Sequence, residues 1–154
     1  MREGQVVPDF ILPDQDGNER RLGDLLADGP VVLFFYPAAL SQGCTREACH
    51  FRDVAARFRA AGVQRVGISA DPPERQREFA HRYALDYPLL SDGDGAVAAM
   101  FGVQRGQLVR RVGVPVKRAT FVIGTDRTVR KVIRSELHMN AHADEALASL
   151  SAQT

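Results

Sequence analysis

Residues Tyr36 to Asp53, YPAALSQGCTREACHFRD, constrain this chain more than any other stretch. They hold both of its cysteines, Cys44 and Cys49. They follow Val31–Tyr36, a continuous β-branched and aromatic run of the kind buried on both faces of a sheet. A short loop with Pro37, Ser41 and Gly43 comes next, and then a helix expected over about Cys44 to Ala61. Cys44, Ala48, Phe51, Ala55 and Phe58 are spaced four, three, four, three, which lays one apolar stripe on a sheet. Gly62 is a natural C-terminal stop.

The order of elements extends this reading. Val6–Leu12 and Glu19–Leu22 flank the turn signal Asp14–Asn18 and predict a hairpin. Gly23–Leu26 suits one helical turn. Val63–Ser69 reads as a strand with Val66 and Ile68 on one face. Asp71 is the expected N-cap of a helix that Pro72-Pro73 open and that runs to about Tyr83. Tyr87–Ser91 suits a short strand and Ala96–Phe101 a short helix stopped by Gly102. Gln104–Val112 reads as a loop or hairpin with Gly106 at its tip. Its Arg105, Arg110 and Arg111 suit a solvated face. Ala119–Ile123 and Val129–Ile133 suit a strand pair, and His142–Ala152 a closing helix. Strands alternating with helices predict a mixed sheet covered on both faces. With a cysteine at the first long helix, this is the pattern of a thioredoxin-like α/β fold with an N-terminal extension.

Bulk properties narrow the class. The chain has 154 residues, which fits one domain over 1–154. A globular chain of that size buries roughly 68–70% of its unfolded surface, so it needs no covalent staples. The net charge of +1 gives no reason to expect nucleic acid or an anionic membrane as partner. The longest strongly apolar run is far short of the ~20 residues of a membrane span. The N-terminal MREGQVVPDF lacks the apolar run of a signal peptide, so a cytoplasmic location is expected. In a reducing cytosol, two cysteines point to catalysis or metal binding rather than a permanent bridge.

Cys44 falls at the first turn of its helix, where unpaired N–H groups and the helix dipole favour an anion. The thiolate is the nucleophilic form of cysteine. Gly43 removes a side chain where a small substrate would approach the backbone. The Ser41 hydroxyl can donate to the sulfur or to a bound oxygen. Pro37 fixes the loop and shields the thiol from water. Glu47 falls in the first turn, where a carboxylate suits the dipole and can pair with an arginine near the site. His50 suits the helix surface. Cys49 lies about 140° around the helix from Cys44 and roughly 8.6 Å away between Cα atoms. Disulfides rarely span more than ~7 Å, so the two cannot bond while the helix is intact. Either they never bond, or the first turns unwind when they do, and helix termini open most readily.

Pro37-Ala-Ala-Leu-Ser41-Gln-Gly-Cys44 resembles the P-x-x-x-[ST]-x-x-C motif of peroxiredoxins. The C-x-x-x-x-C pair followed by CHFRD resembles the peroxiredoxin Q (bacterioferritin comigratory protein) subfamily. Asp9-Phe10 with Leu12 to Gly17, Asp86–Asp92 and Arg118–Ile123 are similar to segments of that subfamily, so the likeness covers nearly the whole chain. It implies a thiol peroxidase without a cofactor or metal, and a monomer. Cys44 would be the peroxidatic cysteine and Cys49 the resolving one. Ser41 takes the place of the family's Thr or Ser, Pro37 is its shielding proline, and Arg118 matches the arginine that faces the thiolate. The partners implied are a hydroperoxide and thioredoxin or a similar dithiol reductant. Gln42 stands where many members have proline, and Ala38, Ala39 and Leu40 are more apolar than usual. Such a mouth favours organic hydroperoxides over hydrogen peroxide. Two competing readings remain open at this point: a thiol redox sensor with the same chemistry, and a zinc-binding domain using Cys44, Cys49, His138 and His142.

Overall fold

The computed structural model describes residues 1–106 and 114–151. The expected arginines Arg110 and Arg111 and the end of the last helix at Ala152 lie outside the described residues. Two sheets form. A small hairpin pairs β1 (Ile11–Pro13) with β2 (Glu19–Arg21). Its turn is closed by Asp14, whose Oδ1 accepts from Asp16 N at 2.9 Å and Asn18 N at 3.0 Å. This is the side-chain-to-backbone bonding that makes Asp a turn former.

The main sheet contains β3 (Val31–Phe35), β4 (Gln64–Ser69), β5 (Leu89–Ser91), β6 (Ala119–Ile123) and β7 (Val129–Arg134), in the spatial order β5-β4-β3-β6-β7. The β3–β4 and β4–β5 pairs are parallel; β3–β6 and β6–β7 are antiparallel. β3 is central and wholly buried. Its side chains alternate between two cores, as a strand covered on both faces must. Val31, Leu33 and Phe35 join Leu22, Leu25 and Leu26 of α1 (Leu22–Leu26) and the buried Val97 and Phe101 on one face. Val32, Phe34 and Tyr36 join Phe51, Phe58, Phe79 and Ala146 on the other.

The helices of that second face are α2 (Gln42–Asp53), α3 (Ala55–Ala61), α4 (Pro73–Tyr83) and the closing helix α6 (Met139–Ser151); α5 is Ala96–Phe101 on the first face. The whole apolar stripe from Cys44 to Phe58 is buried, but its helix is two helices rather than one. The backbone leaves helical geometry at Val54, with φ −98° and ψ 19°. The buried Arg65 reaches in from β4 and donates from Nη1 to the Phe51 carbonyl at 3.0 Å. A continuous helix would use that carbonyl for Ala55 N–H, and a side chain inserted there breaks the ladder.

Three further boundaries differ from expectation for local reasons. β5 begins at Leu89 rather than Tyr87: Pro88 has no N–H to give, and Leu89 N donates to Gln15 Oε1 at 2.8 Å. The N-cap of α4 is Pro72, not Asp71. The Asp71 carboxylate instead accepts from Ala39 N at 2.8 Å and Ser69 Oγ at 2.7 Å, tying the loop after β4 to the loop after β3. The closing helix starts three residues before His142, at Met139, behind a turn in which His138 N donates to Ser135 Oγ at 3.0 Å.

The second half of α2 is fastened from outside at four successive places. Tyr87 Oη donates to Ala48 O at 2.7 Å, and His50 Nε2 meets Asp144 Oδ1 at 2.8 Å. Arg65 holds Phe51 O, and Arg52 Nη1 donates to Tyr83 O at 2.5 Å. Among the described residues, no helix is long and apolar enough to cross a membrane.

Candidate active site

β3 delivers the chain to the site. Tyr36 N donates to Ile68 O at 3.1 Å, one step beyond the last residue of the strand. The Tyr36 hydroxyl donates to Gln76 Oε1, and Gln76 Nε2 donates to Ser69 Oγ and Leu90 O, both at 2.9 Å. This buried network anchors the start of the loop. Pro37 follows, half-buried. Leu40 adopts φ +68°, a left-handed conformation that costs a branched side chain energy. Ser41 then caps α2 through its backbone: its carbonyl accepts from Thr45 N at 2.8 Å. Its hydroxyl donates back to Ala38 O at 2.9 Å, so it closes the loop rather than reaching the sulfur.

Cys44 is the third residue of α2 and is 1% exposed. Arg118, one residue before β6, crosses to it: Nη2 donates to Cys44 Sγ at 3.2 Å. Nη1 of the same guanidinium donates to Glu47 Oε1 at 2.8 Å. Glu47 is fully buried one helical turn after Cys44, so one planar fork spans two acidic groups on one face of α2. Gly43 makes this approach feasible: a Cβ there would lie 3.3 Å from Arg118 Nη2 and 3.4 Å from Met139 Cε. The Arg118 backbone is held as well, its N–H donating to Glu136 Oε1 at 3.2 Å. Arg105 pairs with the same carboxylate at 3.0 Å, so it is an ion-pair partner as well as a surface charge.

The electrostatics follow from burial. Removal from water pushes the Glu47 carboxyl up to about 8, against the pull of Arg118. Burial works against the charge on Arg118, but Glu47 and Cys44 outweigh it and hold the guanidinium above its ordinary value. Glu47 therefore keeps its proton at neutral pH, and the cation is left facing the sulfur.

Cys49 is half-buried on the flank of α2, and both thiols are free. Burial raises the Cys49 thiol above its ordinary value, with Arg52 pulling the other way. With α2 continuous from Gln42 to Asp53, the cysteines stand on different faces of an intact helix.

Four residues at the site escape sequence reasoning as site residues: Thr120, Glu136, Met139 and His142. The one signal was the His138-x₃-His142 spacing, read there as metal-like. In the structure both His142 nitrogens are engaged, with Thr120 Oγ1 at 2.7 Å and Ser135 O at 2.8 Å. Among the described residues no three His, Cys, Asp or Glu side chains are grouped to hold a metal ion. A cavity of about 230 Å³ lined by Ala70, Asp94, Gln104 and Val116 includes none of the residues around Cys44.

Comparison with known proteins agrees with this geometry. Residues 4–132 match the model of the AhpC/TSA family. A peroxiredoxin of Mycobacterium tuberculosis is 60% identical over 152 residues, which is 99% of this chain and 97% of that protein. The chloroplastic peroxiredoxin Q of Gentiana triflora is 37% identical over 96% of this chain and 65% of its own. The crystal structure of the peroxidoxin BcpB from M. tuberculosis superposes with a TM-score of 0.94 at 60% identity, covering 100% of this chain and 99% of that one. The bacterioferritin comigratory protein of Xanthomonas campestris superposes with a TM-score of 0.82 at 28% identity, covering 94% and 91%. A thioredoxin-like sheet, an arginine on a helix-N-terminal cysteine and these relatives lead to one conclusion: the chain belongs to the AhpC/TSA family, in its peroxiredoxin Q branch, and is a thiol-dependent peroxidase.

Proposed function

We propose that Cys44 is the peroxidatic cysteine and Cys49 the resolving cysteine of an intramolecular cycle within a single 1–154 domain. The contact that carries this reading is the 3.2 Å approach of Arg118 Nη2 to Cys44 Sγ at the N-terminus of α2. The Cys44 thiolate attacks one oxygen of a hydroperoxide, and the O–O bond breaks. The other oxygen leaves with the bonding pair, takes up a proton, and departs as water or alcohol. Arg118 and the N–H groups near Gly43 and Cys44 stabilise the charge that develops on it, as an oxyanion site does. Cys44 is left as a sulfenic acid. The first turns of α2 then unwind, Cys49 attacks the Cys44 sulfur, and water is released as the disulfide forms. A dithiol protein of the thioredoxin type restores both thiols by exchange. Ser41 acts here by closing the loop beneath Cys44, Pro37 by stiffening it, and Glu47 by holding Arg118.

Intact mass after one equivalent of peroxide tests these roles. The wild type should lose the mass of two hydrogen atoms, and Cys49→Ser should gain one oxygen. Cys44→Ser should do neither. Full thioredoxin-driven turnover in Cys49→Ser would reject Cys49 as the resolver.

The apolar loop that leads into Cys44 supports a preference for organic hydroperoxides. Ala39 is buried there, and Ala38 and Leu40 are half-buried. The Xanthomonas relative is described by its alkyl peroxide reduction activity. The expected result is a higher kcat/KM for cumene or fatty-acid hydroperoxides than for H₂O₂; equal or better efficiency with H₂O₂ would sink the idea. A monomer in a reducing cytoplasm completes the proposal. Among the described residues the large exposed apolar side chains are Val6, Ile11 and Leu137, too few for an extended association patch.

A further inference from the structure

We propose that His142 is a positioning residue for the thiol site: through Glu47 it holds Arg118 in the orientation that meets Cys44 and peroxide. The inference rests on Cys44 being the reacting thiol.

His142 is fully buried on the closing helix α6, and the matched part of the family model ends ten residues before it, at residue 132. Its two hydrogen bonds define its state. The Ser135 carbonyl can only accept, so the Nε2 atom 2.8 Å away carries the proton. Nδ1 is then the acceptor, and the Thr120 hydroxyl donates to it at 2.7 Å. Burial holds the imidazole below its ordinary value, and the Ser135 carbonyl only partly opposes this, so the ring stays neutral. The charged groups that bear on it are Arg118, Glu47 and Glu136 from neighbouring segments and Glu145 from its own helix.

The Nε2–H edge stands 3.6 Å from Glu47 Oε2. That oxygen is buried and has no hydrogen-bond partner among the described residues, whereas Oε1 is taken by Arg118. One carboxyl oxygen thus aims the guanidinium, and the other rests against the imidazole. Without the ring behind it, the Glu47 carboxyl can rotate, and Arg118 turns with it. Thr120 makes the brace rigid, because it lies two residues from Arg118 on the same face of the same strand segment. β6 therefore fixes both ends of the chain Arg118–Glu47–His142–Thr120.

The test separates positioning from general loosening. Two rates of Cys44 are measured in the Cys49→Ser protein: oxidation by H₂O₂ in quenched flow and alkylation by iodoacetamide. Alkylation reports the thiolate that Arg118 helps to hold but needs no donor for a departing oxygen, so the ratio isolates the stabilisation of that oxygen. In His142→Phe the ratio of oxidation to alkylation should fall about tenfold or more, the size expected when a catalytic group is slightly misplaced. His142→Gln, which keeps an N–H donor, should bring the ratio back to within about threefold of its parent. If His142→Phe does not fold, Thr120→Val, which removes the donor to Nδ1 without changing shape, takes its place and should lower the ratio. An unchanged ratio in the folded variant, or a parallel change in both rates, overturns the proposal. Failure of the Cys44 reading looks different: the Cys49→Ser parent itself would not react with peroxide.

Discussion

The Arg118→Met variant is expected to react with peroxide about 10²–10³ times more slowly than the wild type, the loss typical of removing one oxyanion donor. Methionine keeps the length of the stem and removes the charge and all five donors. The bond to Cys44 Sγ goes with it, and so does the stabilisation of the departing oxygen that the proposed mechanism assigns to Arg118. The fold should survive. Losing one member of a buried ion pair is usually severe, because a bare charge remains. Here the partner is Glu47, which burial already keeps protonated to about pH 8, so no naked carboxylate is left at neutral pH. Arg118→Lys should restore little: a single ammonium cannot reach Sγ and Glu47 together as a planar fork does. Single-turnover oxidation of Cys44 in quenched flow measures this. A rate for Arg118→Met within about threefold of the wild type would remove Arg118 from the mechanism.

The second large effect is on stability. The Glu47 carboxyl titrates at about 8 in the folded protein and near its ordinary value of 4.5 when unfolded. Between those limits the folded chain holds a proton that the unfolded chain has released. Stability therefore falls as pH rises through this window and levels off above it, with a slope of at most about 1.4 kcal/mol per pH unit. Glu47→Gln removes the titration while keeping an oxygen to accept from Arg118. Its stability should lack this slope, so the difference between the two proteins isolates Glu47. Urea unfolding at intervals from pH 5 to 9 gives the answer. Parallel curves for the two proteins would show that the carboxyl is already ionised in the fold at neutral pH.

The elements read correctly from sequence are those whose cause is local. Ala96–Phe101 and Ala119–Ile123 match to the residue, because an apolar run bounded by glycines or by charged residues states its own limits. The Cys44–Phe58 stripe and the approach of Arg118 to Cys44 were likewise legible, the first from periodicity and the second from family resemblance. What was missed depends on residues distant in sequence. The break at Val54 comes from Arg65 on β4. Asp71 looked like a helix cap, since no local pattern reveals the Ala39 N–H waiting across the loop. His142 entered only as the start of the closing helix and as one member of the competing zinc reading, since spacing alone cannot show that Thr120 and Ser135 engage both its nitrogens.

The four fastenings along the second half of α2 carry a consequence for the timing of the cycle. They begin at Ala48, so Cys49 lies inside the fastened half and Cys44 outside it. In the proposed cycle, closing the disulfide then means that the segment bearing Cys44 gives way toward an anchored Cys49. The energy needed to loosen that turn acts as a clock on the sulfenic acid, each 1.36 kcal/mol lengthening its life about tenfold. A longer wait invites a second peroxide to carry Cys44 to the sulfinic state, from which most thiol enzymes do not return. On the proposed cycle, a version of this protein stabilised at that turn would thus be more durable to heat and more easily poisoned by its own substrate.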